Sequence, residues 1–469
     1  MLNSNVLNLN NVKHVHFIGI GGVSMSGLAE ILLNMGYKVS GSDINSSNLT
    51  SKLSEKGVKV YIGHSEENIK NPDLVVYTAA VKEDNPELVK SKLLKIPVIE
   101  RSVLLGEIMK TFPYSIAVSG THGKTTTTSM VSMILLECGF DPTIHIGGEL
   151  DAIGGNTRIG GNKYFVSEAC EYVESFLKFY PFLAIVLNIE EDHLDYFNGI
   201  EHIKSSFLKF MSLVPQNGYI VANCDDKNVV SLLNHVNCNK ITYGITSKDA
   251  MWTARDIVYD HTGCATFGVY KNNKKVIDIN LKLPGVHNVS NALGAISACH
   301  ALGCDFEGIK AGLENYTGTH RRFELKGIIN DIKVIDDYAH HPSEIKATLK
   351  ACKNISHRKI WCVFQPHTYS RTKHLLDEFE DAFYDADTVI ISDIYSAREV
   401  DTGEIHSSQL VDKIKSYNKN ALYMPEFESI VQHLNKHASA GDLIITMGAG
   451  NINNVGEMFL RTKKIIAVS

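Results

Sequence analysis

SGTHGKTTTT, residues Ser119–Thr128, follows the apolar run YSIAVSG (Tyr114–Gly120) and opens a long helical stretch. A strand, a glycine turn and a helix in that order belong to an open parallel sheet with helices on its faces. Backbone N–H groups of such a turn, with the helix N-terminus behind them, cradle phosphate oxygens. Gly120, Thr121, His122, Gly123, Lys124, Thr125 and Thr126 are the candidate cradle, with Lys124 reaching the β- and γ-phosphates and the Thr125 hydroxyl meeting Mg²⁺. The full GxxxxGK[ST] pattern asks for glycine where this chain has Val118, so the match is to the shorter GxxGKT form. The alternative is an ordinary glycine turn with an exposed lysine. The strand before, the helix after and the threonine run favour a nucleotide.

Outward from that turn, Glu168 ends the strand YFVSEA (Tyr164–Ala169) in EACEY, and His193 follows AIVLNI (Ala184–Ile189) in NIEEDH. Ligands of open parallel sheets gather at the carboxyl ends of strands, so all three motifs are expected on one edge. Glu168 suits magnesium, which takes oxygen ligands. His193 is a less natural magnesium ligand, and a loop histidine capping a helix is its alternative reading. Upstream, HVHFIG (His14–Gly19) runs into GIGGVSMSGLAE (Gly19–Glu30), with Asp43 at the end of the next strand, YKVSGSD. Taken alone this suggests a dinucleotide fingerprint. The spacing is G-x-G-G-x-S, with Ser24 in the last glycine's place, so the turn around Gly19, Gly21, Gly22, Ser24 and Met25 points to a diphosphate without fixing its nucleoside. Downstream, DDYAHHP (Asp336–Pro342), QPHTYSRT (Gln365–Thr372) and DIYSARE (Asp393–Glu399) each end a strand. Arg371 suits a two-pronged grip on a carboxylate. His340, His341 and His367 raise the question of zinc, but no metal-ligand spacing supports it and no structural metal is expected.

The chain has 469 residues, which at about 150 per domain predicts three units. Boundaries fall at Pro113, a candidate hinge, and at TGTHRRF (Thr317–Phe323), giving 1–112, 113–320 and 321–469, all α/β, with a β-rich segment over Asp249–Leu283. Against 52 acidic residues stand 46 basic ones, a net charge of −6, so there is no cationic excess for nucleic acid. No apolar run is long enough to span a bilayer. The start, MLNSNVLNLNNV, lacks the basic and apolar regions of a signal peptide and is expected to fray. Nine scattered cysteines with no CxxC pair suit a reducing cytoplasm.

SGTHGKTTTT, EACEY, NIEEDHLD, GVHNVSNA, THRRFE, DDYAHHP and QPHTYSRT occur in that order, with GIGGVSMSGLAE in front. In this combination the chain resembles the Mur ligases end to end, and DDYAHHP and QPHTYSRT look like the alanine-adding branch of that family. The resemblance implies a Rossmann-like N-terminal domain for a UDP-sugar, a central P-loop ATPase-type domain and a Rossmann-like C-terminal domain for the amino acid. It reassigns the first glycine turn, with Asp43, to the UDP diphosphate. It implies that Lys124 and Thr125 hold ATP phosphates and Mg²⁺, that Glu168 and His193 form a metal-binding pair, and that His287 and Asn291 contact adenine. Arg322, Tyr338, His341, His367 and Arg371 fall in motifs facing the muramoyl carboxylate and the amino acid. The implied reaction phosphorylates the lactyl carboxylate of UDP-N-acetylmuramate with ATP and lets the amine of L-alanine attack the acyl phosphate. The product is a peptidoglycan precursor. Either His341 or His367 would accept the amine proton. The chain departs from the family at Ser24 and at EACEY, where many members have EADES. Rival readings are a nicotinamide-dependent dehydrogenase, an ATP-hydrolysing switch, and a related ligase that attaches a recovered peptide.

Overall fold

The computed structural model describes residues 9–466; the start expected to fray lies, up to residue 8, outside them. Three sheets follow one another along the chain. The first has five parallel strands, β1 (His14–Ile18), β2 (Lys38–Asp43), β3 (Lys59–Ile62), β4 (Leu74–Tyr77) and β5 (Val98–Glu100), ordered β3-β2-β1-β4-β5. All of β1 is buried, as a central strand covered on both faces must be. The chain order reverses on either side of β1, and the Gly19–Gly22 turn leaves its carboxyl end.

The second sheet has ten strands: β6 (Tyr114–Ser119), β7 (Thr143–Leu150), β8 (Gly155–Arg158), β9 (Tyr164–Glu168), β10 (Leu183–Val186), β11 (Tyr219–Asn223), β12 (Asn239–Gly244), β13 (Trp252–Tyr259), β14 (Cys264–Lys271) and β15 (Lys274–Pro284). Its order is β15-β14-β13-β12-β11-β10-β6-β9-β7-β8. β6 therefore lies between β9 and β10, and the three strand ends that carry the phosphate-loop motif, Glu168 and Asn188–His193 are side by side. The β-rich segment is no separate insertion. Strand β13 pairs parallel to β12, and β14 and β15 continue the same sheet as antiparallel edge strands. Helix Lys124–Glu137 is buried from Thr125 to Leu135. It packs in a core with Val289, Leu293 and Ile296 of helix Val286–Ala301.

The third sheet, β16 (Glu324–Ile329), β17 (Ile332–Asp337), β18 (Ile360–Phe364), β19 (Thr388–Ile391), β20 (Ala421–Tyr423) and β21 (Leu443–Met447), has the order β16-β17-β21-β18-β19-β20. It is parallel except for the edge strand β16, which follows directly on the Thr317–Phe323 stretch.

One apolar cluster runs from Val15 and Phe17 of the first unit, through Leu104, Leu105 and Ile108 of helix Arg101–Met109, to Phe165, Phe176 and Phe207 of the second. Pro113 thus joins two units that share a core. Helix Val23–Asn34 lies against the β7–β8 hairpin so closely that a Cβ on Gly27 would stand 2.1 Å from Thr157 Oγ1. Among the described residues no helix is long and apolar enough to cross a membrane.

Candidate active site

Gly123 precedes helix Lys124–Glu137 in the left-handed region, at φ 83°, a conformation that only glycine adopts without cost. A side chain there would also meet Asn291 Oδ1, 2.7 Å away. The loop is pinned from β10. The His122 N–H donates to Asn188 Oδ1 at 2.7 Å, Asn188 Nδ2 donates to the His122 carbonyl, and the Glu190 N–H donates to Thr121 Oγ1. Lys124 Nζ reaches the carboxylate of Glu171 at 3.0 and 3.2 Å and donates to the carbonyls of Gly120 and Thr121. Burial alone would depress the lysine, and the Glu171 carboxylate more than offsets that, raising its pKa.

Two cavities border this loop, and a third lies beyond it between the second and third units. The first, about 220 Å³, is bordered by His122, Gly123, Thr126, His287 and Asn291 of the second unit and by Arg322, Asp337 and Glu344 of the third. His287 Nδ1 is buried with no hydrogen-bond partner among the described residues, and burial holds the ring neutral with its pKa pushed down to about 4. A buried, unpaired ring nitrogen at a cavity wall calls for a polar ligand edge. Burial holds the Asp337 carboxyl up, at about 6, against the nearby Arg322.

The second cavity, about 510 Å³, joins all three units: Val23 from the first, Thr125, Gly147, Gly148 and Glu168 from the second, Arg321, Arg322 and Tyr338 from the third. Glu168 Oε1 accepts the N–H of Gly147 at 2.6 Å. Both arginine heads lie 5.0 Å from the Tyr338 ring. The Thr125 hydroxyl and the Glu168 carboxylate are hard oxygen donors on one wall, a set that fits magnesium.

The third cavity, about 360 Å³, holds His193, His367 and Arg371 with Tyr172, Asp192 and Arg398. Arg371 donates from Nε and Nη2 to Asp192 Oδ1 and from Nη1 to His367 Nδ1. Burial would raise the Asp192 carboxyl, but His193, Arg371 and two further histidines hold it far below the usual range. His193 packs at a tilt against Tyr172, ring centres 4.5 Å apart, with a positive φ, and it borders this cavity rather than the one that holds Thr125 and Glu168.

The third unit closes on the phosphate loop through histidines. His122 lies between Glu344 at 3.2 Å and Glu190 at 3.4 Å and packs at a tilt against His341, ring centres 4.7 Å apart. His341 caps helix Pro342–Lys353. Its Nδ1 accepts the Ser343 N–H, leaving Nε2 to donate to the Glu191 carbonyl at 3.0 Å. His367 likewise spends its Nδ1 lone pair on Arg371. His340 instead donates from Nδ1 to the Tyr338 carbonyl at 2.9 Å, so its Nε2 lone pair is the uncommitted one of the three.

On the first unit, Asp43 Oδ2 accepts the Gly21 N–H at 2.8 Å and closes the Gly19–Gly22 turn. Met25 turns its side chain into the core, so only its backbone faces the turn. Ser24 bonds to His145 Nε2 and to Arg101, which ties the turn to the second unit. Sequence reasoning missed Glu171, Asp192 and Glu344, all inside or just beside quoted motifs, weighed His340 only as a zinc ligand, and missed Arg101 and His145, for which no motif gave a signal.

A phosphate-binding loop set between two Rossmann-like units, with each of these three cavities at a unit boundary, defines a multidomain nucleotide-dependent enzyme. Family models match in matching order: a Mur ligase family catalytic domain over residues 14–113, a Mur ligase middle domain over 118–299 and a Mur ligase glutamate ligase domain over 321–450. The chain belongs to the Mur ligases. It is 69% identical over 464 residues to the UDP-N-acetylmuramate–L-alanine ligase of Acetivibrio thermocellus, covering 99% of each chain. It is 52% identical to the ligase of the same name from Clostridium tetani, over 97% of this chain and 99% of the relative. The crystal structure of UDP-N-acetylmuramate-alanine ligase from Thermotoga maritima superposes with a TM-score of 0.81 at 31% identity, over 96% of this chain and 99% of that one. A murein peptide ligase from Psychrobacter arcticus superposes with a TM-score of 0.71 at 28% identity, over 96% and 98%.

Proposed function

We propose that this chain joins L-alanine to the lactyl carboxylate of UDP-N-acetylmuramate at the expense of ATP, releasing ADP and phosphate, as a step in making peptidoglycan precursor. The observation that carries this reading is the cavity where Val23, Thr125 with Glu168, and Arg322 with Tyr338 meet. A carboxylate is a poor electrophile, so amide formation needs it activated, and phosphorylation by ATP does that. Residues 1–112 bind the UDP-sugar, 113–320 bind ATP, and 321–469 bring the amino acid.

In this reading Lys124 and the N–H groups of its loop neutralise and orient the phosphates, and positioning plus electrostatics supply most of the rate. His287 and Asn291 border the cavity for the adenine. Thr125 and Glu168 would hold Mg²⁺, which when bound offsets charge on the transferring phosphoryl group. Arg322 borders both the nucleotide cavity and the three-unit cavity, a place suited to the anionic group passed between them. Tyr338 packs the arginine heads in place. Arg371 takes the alanine carboxylate. The amine must lose a proton before it attacks, and among His340, His341 and His367 the geometry favours Nε2 of His340. Closure of the third unit over the loop keeps water from the acyl phosphate. All nine cysteines are free thiols, which supports a reducing, cytoplasmic setting.

The test is an amino-acid panel with UDP-N-acetylmuramate and ATP, run with hydroxylamine. L-alanine should drive phosphate release far better than a tripeptide, and hydroxylamine should trap a muramoyl hydroxamate. Preference for the tripeptide would move the chain to the peptide-attaching ligases. Absence of the hydroxamate during turnover would remove the acyl phosphate.

A further inference from the structure

Arg101 opens helix Arg101–Met109, where the first unit meets the second. Its Nη1 donates to Ser24 Oγ at 2.9 Å, Ser24 Oγ lies 2.8 Å from His145 Nε2, and His145 Nδ1 lies 3.2 Å from Thr157 Oγ1. A guanidinium only donates, so the Ser24 proton points to His145 Nε2, and His145 carries its own proton on Nδ1 toward Thr157. His145 is buried and neutral, its pKa pushed down to about 3 by burial and by Arg101. Ser24 and His145 are fully used in this row. Arg101 is not: of its five N–H groups, one bonds to a described residue.

Nor does any carboxylate of the described residues stand within ion-pair distance of it. Its side chain is half-buried, and burial outweighs the pull of Cys170, Glu100 and Glu168. A cation drawn out of water without an anion beside it costs stability. As a clip between units it is overbuilt, because a neutral donor would serve Ser24 as well. Its place is informative. Val23, next to Ser24, borders the cavity that holds Thr125 and Glu168. Arg101 therefore stands between the glycine turn of the first unit and the phosphoryl-transfer cavity of the second.

We propose that Arg101 is a substrate-binding residue whose guanidinium grips an oxyanion of the UDP-sugar as this passes from the first unit to the cavity. The assignment rests on the ligase reading above. UDP-N-acetylmuramate carries two such anions, its diphosphate and its lactyl carboxylate, and their shared chemistry is what the free N–H groups of Arg101 fit.

Calorimetric titration of the full chain, in the presence of a non-hydrolysable ATP analogue, tests this with wild type, Arg101→Met and Arg101→Lys. Arg101→Met should weaken UDP-N-acetylmuramate by about tenfold or more, the ordinary size of a charge-assisted hydrogen bond. Arg101→Lys should fall between, and ATP-analogue affinity should stay within about twofold. The ligand-free Tm of Arg101→Met should equal or exceed that of wild type, because the change removes an uncompensated cation. UDP-N-acetylglucosamine, which has the diphosphate and lacks the lactyl group, separates the sources. Equal loss for both sugars places Arg101 on the diphosphate, and loss confined to the muramate places it on the carboxylate. Unchanged sugar affinity in Arg101→Met would overturn the assignment. So would a lowered Tm with equal losses of sugar and nucleotide, which marks a structural clip. A wild-type chain that binds the ATP analogue but not UDP-N-acetylmuramate would overturn the ligase reading itself.

Discussion

The Nζ of Lys124 lies 3.0 Å from Glu171 Oε2, a buried carboxylate three residues beyond Glu168, where the neighbouring strand β9 ends. With the Gly120 and Thr121 carbonyls also engaged, all three ammonium protons have protein partners. A phosphate oxygen can take Nζ only by exchanging with one of them, and Glu171 offers the same kind of acceptor.

Glu171→Gln should therefore lower the stability of the free protein by about 1–3 kcal/mol, since it leaves a largely buried cation without its counter-charge. ATP binding supplies that counter-charge, so the Tm gain on adding ATP with Mg²⁺ should be larger in the variant than in wild type. Thermal melts with and without nucleotide check this. Equal gains would show that Lys124 does not exchange Glu171 for phosphate.

His122 is held protonated because Glu344 and Glu190 outweigh the burial that would neutralise it, raising its pKa from 6.5 to about 10. A raised folded-state pKa contributes fully below 6.5 and is lost as pH climbs through about 10. Glu190, pulled from 4.5 to about 2 despite burial, contributes above 4.5 and is lost as pH falls through about 2. The stability advantage of wild type over His122→Gln should thus be greatest between pH 4.5 and 6.5 and shrink steadily up to about pH 10. Melting curves across that range measure it. An advantage that grows above pH 6.5 would mean the imidazole works in its neutral form.

What the sequence made legible was local. Strand, glycine turn and helix are contiguous around Gly19 and Gly120, and the chemistry of both turns follows from backbone geometry that a short stretch specifies. The hairpin β7–β8 gave no such signal, because Gly147, Gly148, Gly154 and Gly155 interrupt the alternation that marks a strand. Strands β13 to β15 were legible as strands, but their membership of the central sheet depends on β12, which no motif announced. The site shows the same divide. Lys124 and Thr125, which open the helix after β6, and Glu168, which ends β9, each sit in a short contiguous motif that a sequence can display. Asp192 takes its role from Arg371, 179 residues away, and Ser24 from His145, 121 residues away; periodicity carries no information about such pairs.

Gly147 tests the magnesium assignment. Its N–H holds Glu168 Oε1, and a Cβ there would stand 3.0 and 3.1 Å from the two carboxylate oxygens. Gly147→Ala should push the carboxylate aside while leaving Thr125 and Lys124 in place. The Mg²⁺ concentration for half-maximal ligation should rise by about tenfold or more, the usual scale for a disturbed ligand-orienting contact. The Tm should change little. Measuring ligation against Mg²⁺ at saturating ATP checks this, and an unmoved requirement would take Glu168 out of the metal site.

Arg371 and Asp192 give the sharpest separation between gripping a substrate and holding the grip in place. Asp192 Oδ1 takes hydrogen bonds from Arg371 Nε at 3.1 Å and Nη2 at 2.9 Å, while Nη1 is held by His367 at 3.1 Å. The fork is thus fixed across the boundary between the second and third units before any amino acid arrives. Arg371→Ala should raise the KM for L-alanine by about 10- to 100-fold, the range of a charge-assisted hydrogen bond, with a smaller change in kcat. Asp192→Asn keeps the shape and loses the charge, so it should raise the same KM by less. If Asp192 acts only by orienting Arg371, the double variant should be no worse than Arg371→Ala alone, since the aspartate then has nothing left to orient. Multiplying effects in the double variant would instead mean that each side chain meets the substrate by itself. A normal alanine KM in Arg371→Ala would move the amino-acid carboxylate to another cation of the same cavity, and Arg398 is the one that borders it.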